Sequence, residues 1–99
     1  MSQKKSVTVL GSTGSIGTST LDVLARHPER FEVHALTASS QVDLILEQCA
    51  RFRPRHAVMA REDAGRQLAD RVRAEGLPVQ VSWGLEALDA VASAPEVDV

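Results

Sequence analysis

Seven residues near the start of the chain, Gly11-Ser12-Thr13-Gly14-Ser15-Ile16-Gly17, have the types and spacing that hold a phosphate through the backbone. They follow the apolar run Val7-Thr8-Val9-Leu10 and precede a stretch of helical character. A pyrophosphate stripped of water needs its charge met. The first turn of a helix offers unpaired N–H groups and the positive end of the helix dipole. Backbone reaches phosphate only where no side chain intervenes. Gly11 suits a tight exit from the strand at positive φ. Gly14 lets the chain approach the pyrophosphate, and Gly17 lets the helix pack closely on the sheet. Thr13 and Ser15 add hydroxyl donors, and Ile16 is expected to anchor the turn in the core. Strand, glycine turn and helix in succession read as a dinucleotide site. The spacing is G-x-x-G-x-x-G, a variant of the commoner G-x-G-x-x-G. The same glycines would also serve a strand-to-helix turn that uses them for geometry alone.

The end of the second strand bears on which dinucleotide. An acid about 20 residues past the glycines holds the ribose 2′-OH of NAD. Here that neighbourhood reads Leu36-Thr37-Ala38-Ser39-Ser40-Gln41, and the first carboxylate is Asp43 in the following helix. A carboxylate would repel a 2′-phosphate, so its absence favours NADP. Ser39, Ser40 and Gln41 could donate neutral hydrogen bonds to that phosphate, or act only as loop and helix-capping groups.

Other chemistry-bearing residues read as structural. His27, His34 and His56 lack a metal-ligand spacing, and His27 sits where it complements a helix C-terminus. Asp22 reads as a solvated or capping acid of the first helix. Arg51, Arg53 and Arg55 read as a charged helix end. Cys49 falls on an apolar helix face and reads as core, not nucleophile. Trp83 is expected to pack over the sheet edge.

Around these residues, β-rich apolar runs alternate with helical periods. Strands are predicted at residues 7–10, 31–37, 57–59 and 78–82. Helices are predicted at residues 16–26, on the face Val42, Ile45, Leu46, Cys49, on the face Ala64, Leu68, Val72, and on the face Leu85, Leu88, Ala92. His27-Pro28, Pro54 and Pro95 close helices, and Gly76 stands where a C-cap glycine belongs. Val97-Asp98-Val99 is expected to open a fifth strand. The alternation predicts parallel βαβ units, hence an α/β, Rossmann-like open parallel sheet with helices on both faces, truncated before completion.

Ninety-nine residues suffice for one small domain. Hydrophobic residues make up 43% and charged residues 24%, an ordinary globular balance. A net charge of −2 gives no sign of a nucleic-acid or membrane surface. One cysteine precludes an internal disulfide and points to a reducing, cytoplasmic compartment. No apolar run approaches the ~20 residues of a membrane span.

With its flanks, the glycine run becomes specific. Val9-Leu10 and the run itself are followed by Ser19-Thr20-Leu21-Asp22-Val23, His27-Pro28, Phe31 and a second strand at residues 33–38. Arg53-Pro54, Ala57-Val58-Met59, Gly84 with Leu88, and Ala94-Pro95-Glu96-Val97-Asp98-Val99 come later. Together these resemble the N-terminal part of the 1-deoxy-D-xylulose 5-phosphate reductoisomerase family over nearly the whole chain. The resemblance implies an NADPH-dependent oxidoreductase of the methylerythritol phosphate route to isoprenoids. Its substrate would be a phosphorylated ketose, converted to 2-C-methyl-D-erythritol 4-phosphate by rearrangement and hydride reduction with Mg²⁺ or Mn²⁺. It implies cofactor contacts at Thr13, Gly14, Ser15 and Ile16, with Gly11 and Gly17 shaping the turn. It also implies a homodimer, and places the metal ligands, substrate phosphate site, lid and C-terminal domain beyond Val99. Residues 1–99 alone are then expected to be inactive. One departure stands out: many members carry a Gly-Lys-Asn-like segment after the second strand, and here Ser40 occupies the lysine's place. Two other readings remain at this point. An aspartate-semialdehyde-type dehydrogenase opens with the same turn but needs a thiolate. A non-enzymatic dinucleotide sensor would use the same fold.

Overall fold

A computed structural model describes residues 4–93. Four strands alternate with four helices: β1 (Lys5–Val9), α1 (Ser15–Ala25), β2 (Phe31–Ala38), α2 (Val42–Phe52), β3 (His56–Met59), α3 (Glu62–Ala74), β4 (Gln80–Trp83) and α4 (Leu85–Ala92). The strands pair in parallel in the order β1-β2-β3-β4. Each crossover therefore steps one place in the same direction. Right-handed crossovers of that kind put successive helices on one face. The core shows this directly. Leu21 and Leu24 of α1, Ile45, Leu46 and Cys49 of α2, and Ala64, Leu68 and Val72 of α3 share a cluster with Val7, Val9, Leu36, Ala57 and Met59 of the strands. Neighbouring strand residues point the other way. There Ala35 and Val58 meet Val91, Ala87 and Leu88 of α4. The result is the expected open, Rossmann-like parallel sheet with helices on both faces.

β2 is buried from Val33 to Ala38, the continuous run expected of an inner parallel strand. Its pairing with β1 shifts at Val7/Thr8, where Thr8 opposes Ala35 and His34 is the extra residue of a bulge. α3 closes as the glycine predicts: Gly76 takes φ 66°, its N–H donates to the Arg73 carbonyl and that of Leu77 to the Val72 carbonyl, both at 3.1 Å. α2 closes without a glycine, on Arg53 at φ 48°, just before the buried Pro54.

Two boundaries differ from the sequence reading. β1 begins earlier than residue 7, and Leu10 already belongs to the turn, 60% exposed. β4 begins later than residue 78 because Pro78 has no N–H to donate; the ladder opens with the Gln80 N–H on the Arg55 carbonyl at 2.9 Å and runs to Trp83 opposite Met59. The strand expected at Val97-Asp98-Val99 lies outside the described residues.

Candidate cofactor-binding site

The glycine turn sits at the carboxyl end of β1, where ligands of open α/β sheets bind. Each glycine there has its own reason. Gly11 is at φ 65°, which L side chains rarely adopt, although a Cβ there would meet nothing within 4 Å. Gly17 is buried in α1, and a Cβ on it would lie 2.7 Å from Ser12 Cα and closer still to the Gly11 carbonyl oxygen. It thus lets the helix seat on the turn itself. Gly14 is at φ −79°, open to any residue. A Cβ on it would find only the Gly11 oxygen within 4 Å, at 3.4 Å. The space before Gly14 is therefore free of protein.

The turn is pinned from two sides. The Gly11 N–H donates to Thr37 Oγ1 at 2.9 Å and the Ser12 N–H to the Thr37 carbonyl at 2.8 Å, tying it to the end of β2. From α2, Gln48 Nε2 donates to the Ser12 carbonyl at 2.8 Å. The Gly14 N–H closes the loop on the Gly11 carbonyl at 3.0 Å, and the Thr18 N–H on the Gly14 carbonyl at 2.9 Å starts the helix. No side chain caps α1. The N–H groups of Ser15, Ile16 and Gly17 thus belong to the first turn, whose donors have no acceptor inside a helix. Open space at Gly14, uncapped N–H groups and a backbone held by Thr37 and Gln48 fit an anionic pyrophosphate.

Sequence reasoning missed Ser12, Thr37 and Gln48. Ser12 is fully buried, and its Oγ, like Gln48 Oε1, has no hydrogen-bond partner among the described residues. Gln48 carried a signal: it is a polar residue interrupting the apolar face of Ile45, Leu46 and Cys49.

The structure corrects the expectation for Ile16. It is 83% exposed and anchors nothing in the core. The buried face of α1 runs through Gly17, Leu21 and Leu24. Ile16 comes one residue before that face, about 100° around the helix. Thr13 is half-buried; Gly14 and Ser15 are exposed beside it in the turn. Ser40 is exposed beyond β2. The β2–β3 ladder continues past the strand ends, with the Ala60 N–H on the Ala38 carbonyl at 2.8 Å and the Arg61 N–H on the Ser39 carbonyl at 3.4 Å. The segment from Ser39 to Gln41 therefore follows directly on the β2 end that pins the glycine turn, and Arg61 lies beside it.

The remaining candidates are structural. His34 and His56 come together, ring centroids 5.2 Å apart, yet no group of three metal-ligating side chains forms among the described residues. His27 lies 4.0 Å from Glu29, and Asp22 is exposed on α1. Arg51, Arg53 and Arg55 are exposed and line a cavity of about 450 Å³ with Lys4 and Pro28, beside the starts of the strands and away from the turn. Cys49 is fully buried, and that burial pushes its thiol up to about 12. It supplies no thiolate nucleophile. Trp83 packs on Gly65 of α3, whose Cβ position would be 2.7 Å from the indole. No helix among the described residues is long and apolar enough to cross a membrane.

The sequence profile of the 1-deoxy-D-xylulose 5-phosphate reductoisomerase family matches residues 7–99. The reductoisomerase of Nitrosospira multiformis is 56% identical over 92 residues, 93% of this chain and 23% of its own length. That of Nitrosomonas europaea is 52% identical over 98 residues, 99% of this chain and 24% of its own. A crystal structure of DOX-P reductoisomerase in complex with NADPH, fosmidomycin and magnesium superposes with a TM-score of 0.90 at 39% identity, over 95% of this chain and 23% of that one. The Zymomonas mobilis enzyme in complex with NADPH gives 0.87 at 37% identity, over 93% and 24%. The chain thus spans about a quarter of the length of these relatives.

Proposed function

The chain belongs to the 1-deoxy-D-xylulose 5-phosphate reductoisomerase family, and from that premise we propose that it forms the dinucleotide-holding part of an NADPH-dependent reductoisomerase. The observation that carries this reading is the pinned, uncapped glycine turn. In it the N–H groups of Ser15, Ile16 and Gly17 receive the pyrophosphate, with the hydroxyls of Thr13 and Ser15 beside them. Gly14 gives the phosphates room. Thr37 and Gln48 keep the donors aimed by holding Gly11 and Ser12 from behind. Rigid donors lose little freedom when the anion arrives, which is how a preorganised site gains affinity. Exposed Leu10 and Ile16 bracket the turn in sequence and offer apolar surface at its rim. NADPH, when bound, supplies the hydride that reduces the rearranged phosphorylated ketose. Two structural relatives were solved in complex with NADPH, which supports the assignment.

The metal is a different matter. No group of three His, Cys, Asp or Glu side chains able to hold a cation exists among the described residues. These residues do not fit Mg²⁺ or Mn²⁺, and the cation's ligands are assigned to other parts of the protein. The family resemblance places the substrate phosphate site there as well. A homodimeric, cytoplasmic enzyme is the assembly this reading anticipates.

The test uses the full-length protein, with NADPH oxidation followed by absorbance in the presence of 1-deoxy-D-xylulose 5-phosphate. Oxidation is expected with Mg²⁺ or Mn²⁺ and is expected to stop on full chelation. Turnover that survives chelation, or NADPH that stays unoxidised with metal and substrate present, overturns the reading.

A further inference from the structure

We propose that Arg61 reads the 2′-phosphate of the dinucleotide and so sets the preference for NADPH over NADH. The proposal rests on the reading of the glycine turn as a dinucleotide site. In that fold the ribose lies at the end of the second strand. Here that end carries neither an acid to hold a 2′-OH nor a base to hold a phosphate: Ser39, Ser40 and Gln41 are all neutral. A 2′-phosphate dianion needs charge, and three neutral donors leave most of it unmet.

The sheet order supplies the charge from elsewhere. Because β3 lies directly beside β2, the chain leaving β3 runs alongside the chain leaving β2. The Ala60 and Arg61 N–H groups continue that ladder onto the Ala38 and Ser39 carbonyls. Arg61 therefore stands next to Ser39 and Ser40, at the same edge as the glycine turn. Its side chain is 64% exposed. Two arginines of α3 itself are engaged, Arg66 in its second turn and Arg71 in its last. Arg66 is bonded to Glu62 at 2.8 Å and lies over the Trp83 ring, and Arg71 is bonded to Asp43 at 3.2 Å.

Arg61 has its own partner in Asp63, met through Nε and an NH2 group at 3.2 Å each. Both side chains are well exposed, and a pair of that kind holds weakly. A phosphate dianion offers the same planar fork two acceptor oxygens and twice the charge. The dinucleotide can thus take the guanidinium from Asp63. Asp63 and Glu62, both in the first turn of α3, repel the phosphate and limit the affinity. Asp63 is in effect an internal competitor for the reading group.

The experiment measures equilibrium binding of NADPH and NADH to the full-length protein, by nicotinamide fluorescence or calorimetry. Arg61→Ala is expected to weaken NADPH by roughly 10- to 100-fold, the range of a lost charge-assisted hydrogen bond, and NADH by less than about twofold. Arg61→Lys keeps the charge without the fork and is expected to fall between. Asp63→Asn is expected to tighten NADPH and leave NADH unchanged. Unchanged NADPH affinity in Arg61→Ala overturns the proposal, as does an equal loss for both dinucleotides, which would mark a purely structural role. Failure of the parent protein to bind either dinucleotide would overturn the dinucleotide reading itself, and this proposal with it.

Discussion

Substituting alanine at Gly17 and at Gly14 should separate seating the helix from holding the ligand. At Gly17 the new methyl carbon would lie 2.7 Å from Ser12 Cα. Carbon atoms rest at about 3.5 Å, so helix and turn must part by at least roughly 0.8 Å, and further to clear the Gly11 carbonyl oxygen. The neighbours are backbone, fixed by Thr37 and Gln48, and cannot rotate aside. Overpacking costs ~1–3 kcal/mol, and a clash with fixed backbone falls in the upper half of that range, about 2–3 kcal/mol. Replacing glycine within a helix returns about 1 kcal/mol of helix propensity. The net loss of stability is then about 1–2 kcal/mol, and the displaced N–H groups should lower NADPH affinity by roughly 10- to 100-fold, one charge-assisted hydrogen bond's worth. At Gly14 the methyl meets only an ordinary contact at 3.4 Å, on a backbone that alanine adopts freely. Loss of a good N-cap residue and reduced freedom of the unfolded chain oppose each other, leaving stability within ~0.5 kcal/mol of the parent. The methyl nevertheless occupies the space assigned to the pyrophosphate, so affinity should fall as far as in Gly17→Ala. Urea unfolding and NADPH titration of both variants make the comparison. Parental affinity in Gly14→Ala would refute the placement of the ligand. A Gly17→Ala protein as stable as the parent would refute the packing argument.

Two further outcomes follow from the groups behind the turn. Gln48→Leu removes the donor to the Ser12 carbonyl inside the core, and should cost about 1–2 kcal/mol in urea unfolding while weakening NADPH binding through a looser turn; unchanged values in both would show that Gln48 does not hold it. Cys49 stays protonated in the folded protein to about 12, while an unfolded thiol ionises near its ordinary value of 9.0. Its contribution is therefore intact below pH 9 and is lost above it, at about 1.4 kcal/mol per pH unit, because the unfolded state sheds a proton that the folded state keeps. Cys49→Ala should flatten that alkaline slope in urea midpoints measured between pH 8 and 10.5, and an identical slope in both proteins would contradict it.

Much of this fold was legible because its signals are local. Strand and helix periods, the glycine at φ 65° and the helix stop at Gly76 each depend on a few adjacent residues. What escaped depends on residues brought together from far apart. Ser12 reads as a spacer between glycines until Thr37 and Gln48 arrive from 25 and 36 residues away. Ile16 reads as core because it is apolar; only the phase of Gly17, Leu21 and Leu24 turns it outward. Arg61 gives no local sign of lying beside the end of β2, because its neighbour Ser39 follows from strand order, which no motif encodes.

The sheet order also implies a sequence of assembly during synthesis. Each described strand pairs with the one made just before it, so every loop to be closed is short and its entropic cost small. Lys5 meets Phe31, which emerges 26 residues later, about 1–5 s at ordinary rates of translation. Both pins on the glycine turn are available once Gln48 has been added, before β3 and β4 exist. The cradle can therefore close on the first half of the chain alone, while Arg61 joins its edge only after β3 docks. If the glycine turn holds the pyrophosphate and Arg61 reads the 2′-phosphate as proposed, a nascent chain should acquire the shape of the first site before the means to tell one dinucleotide from the other.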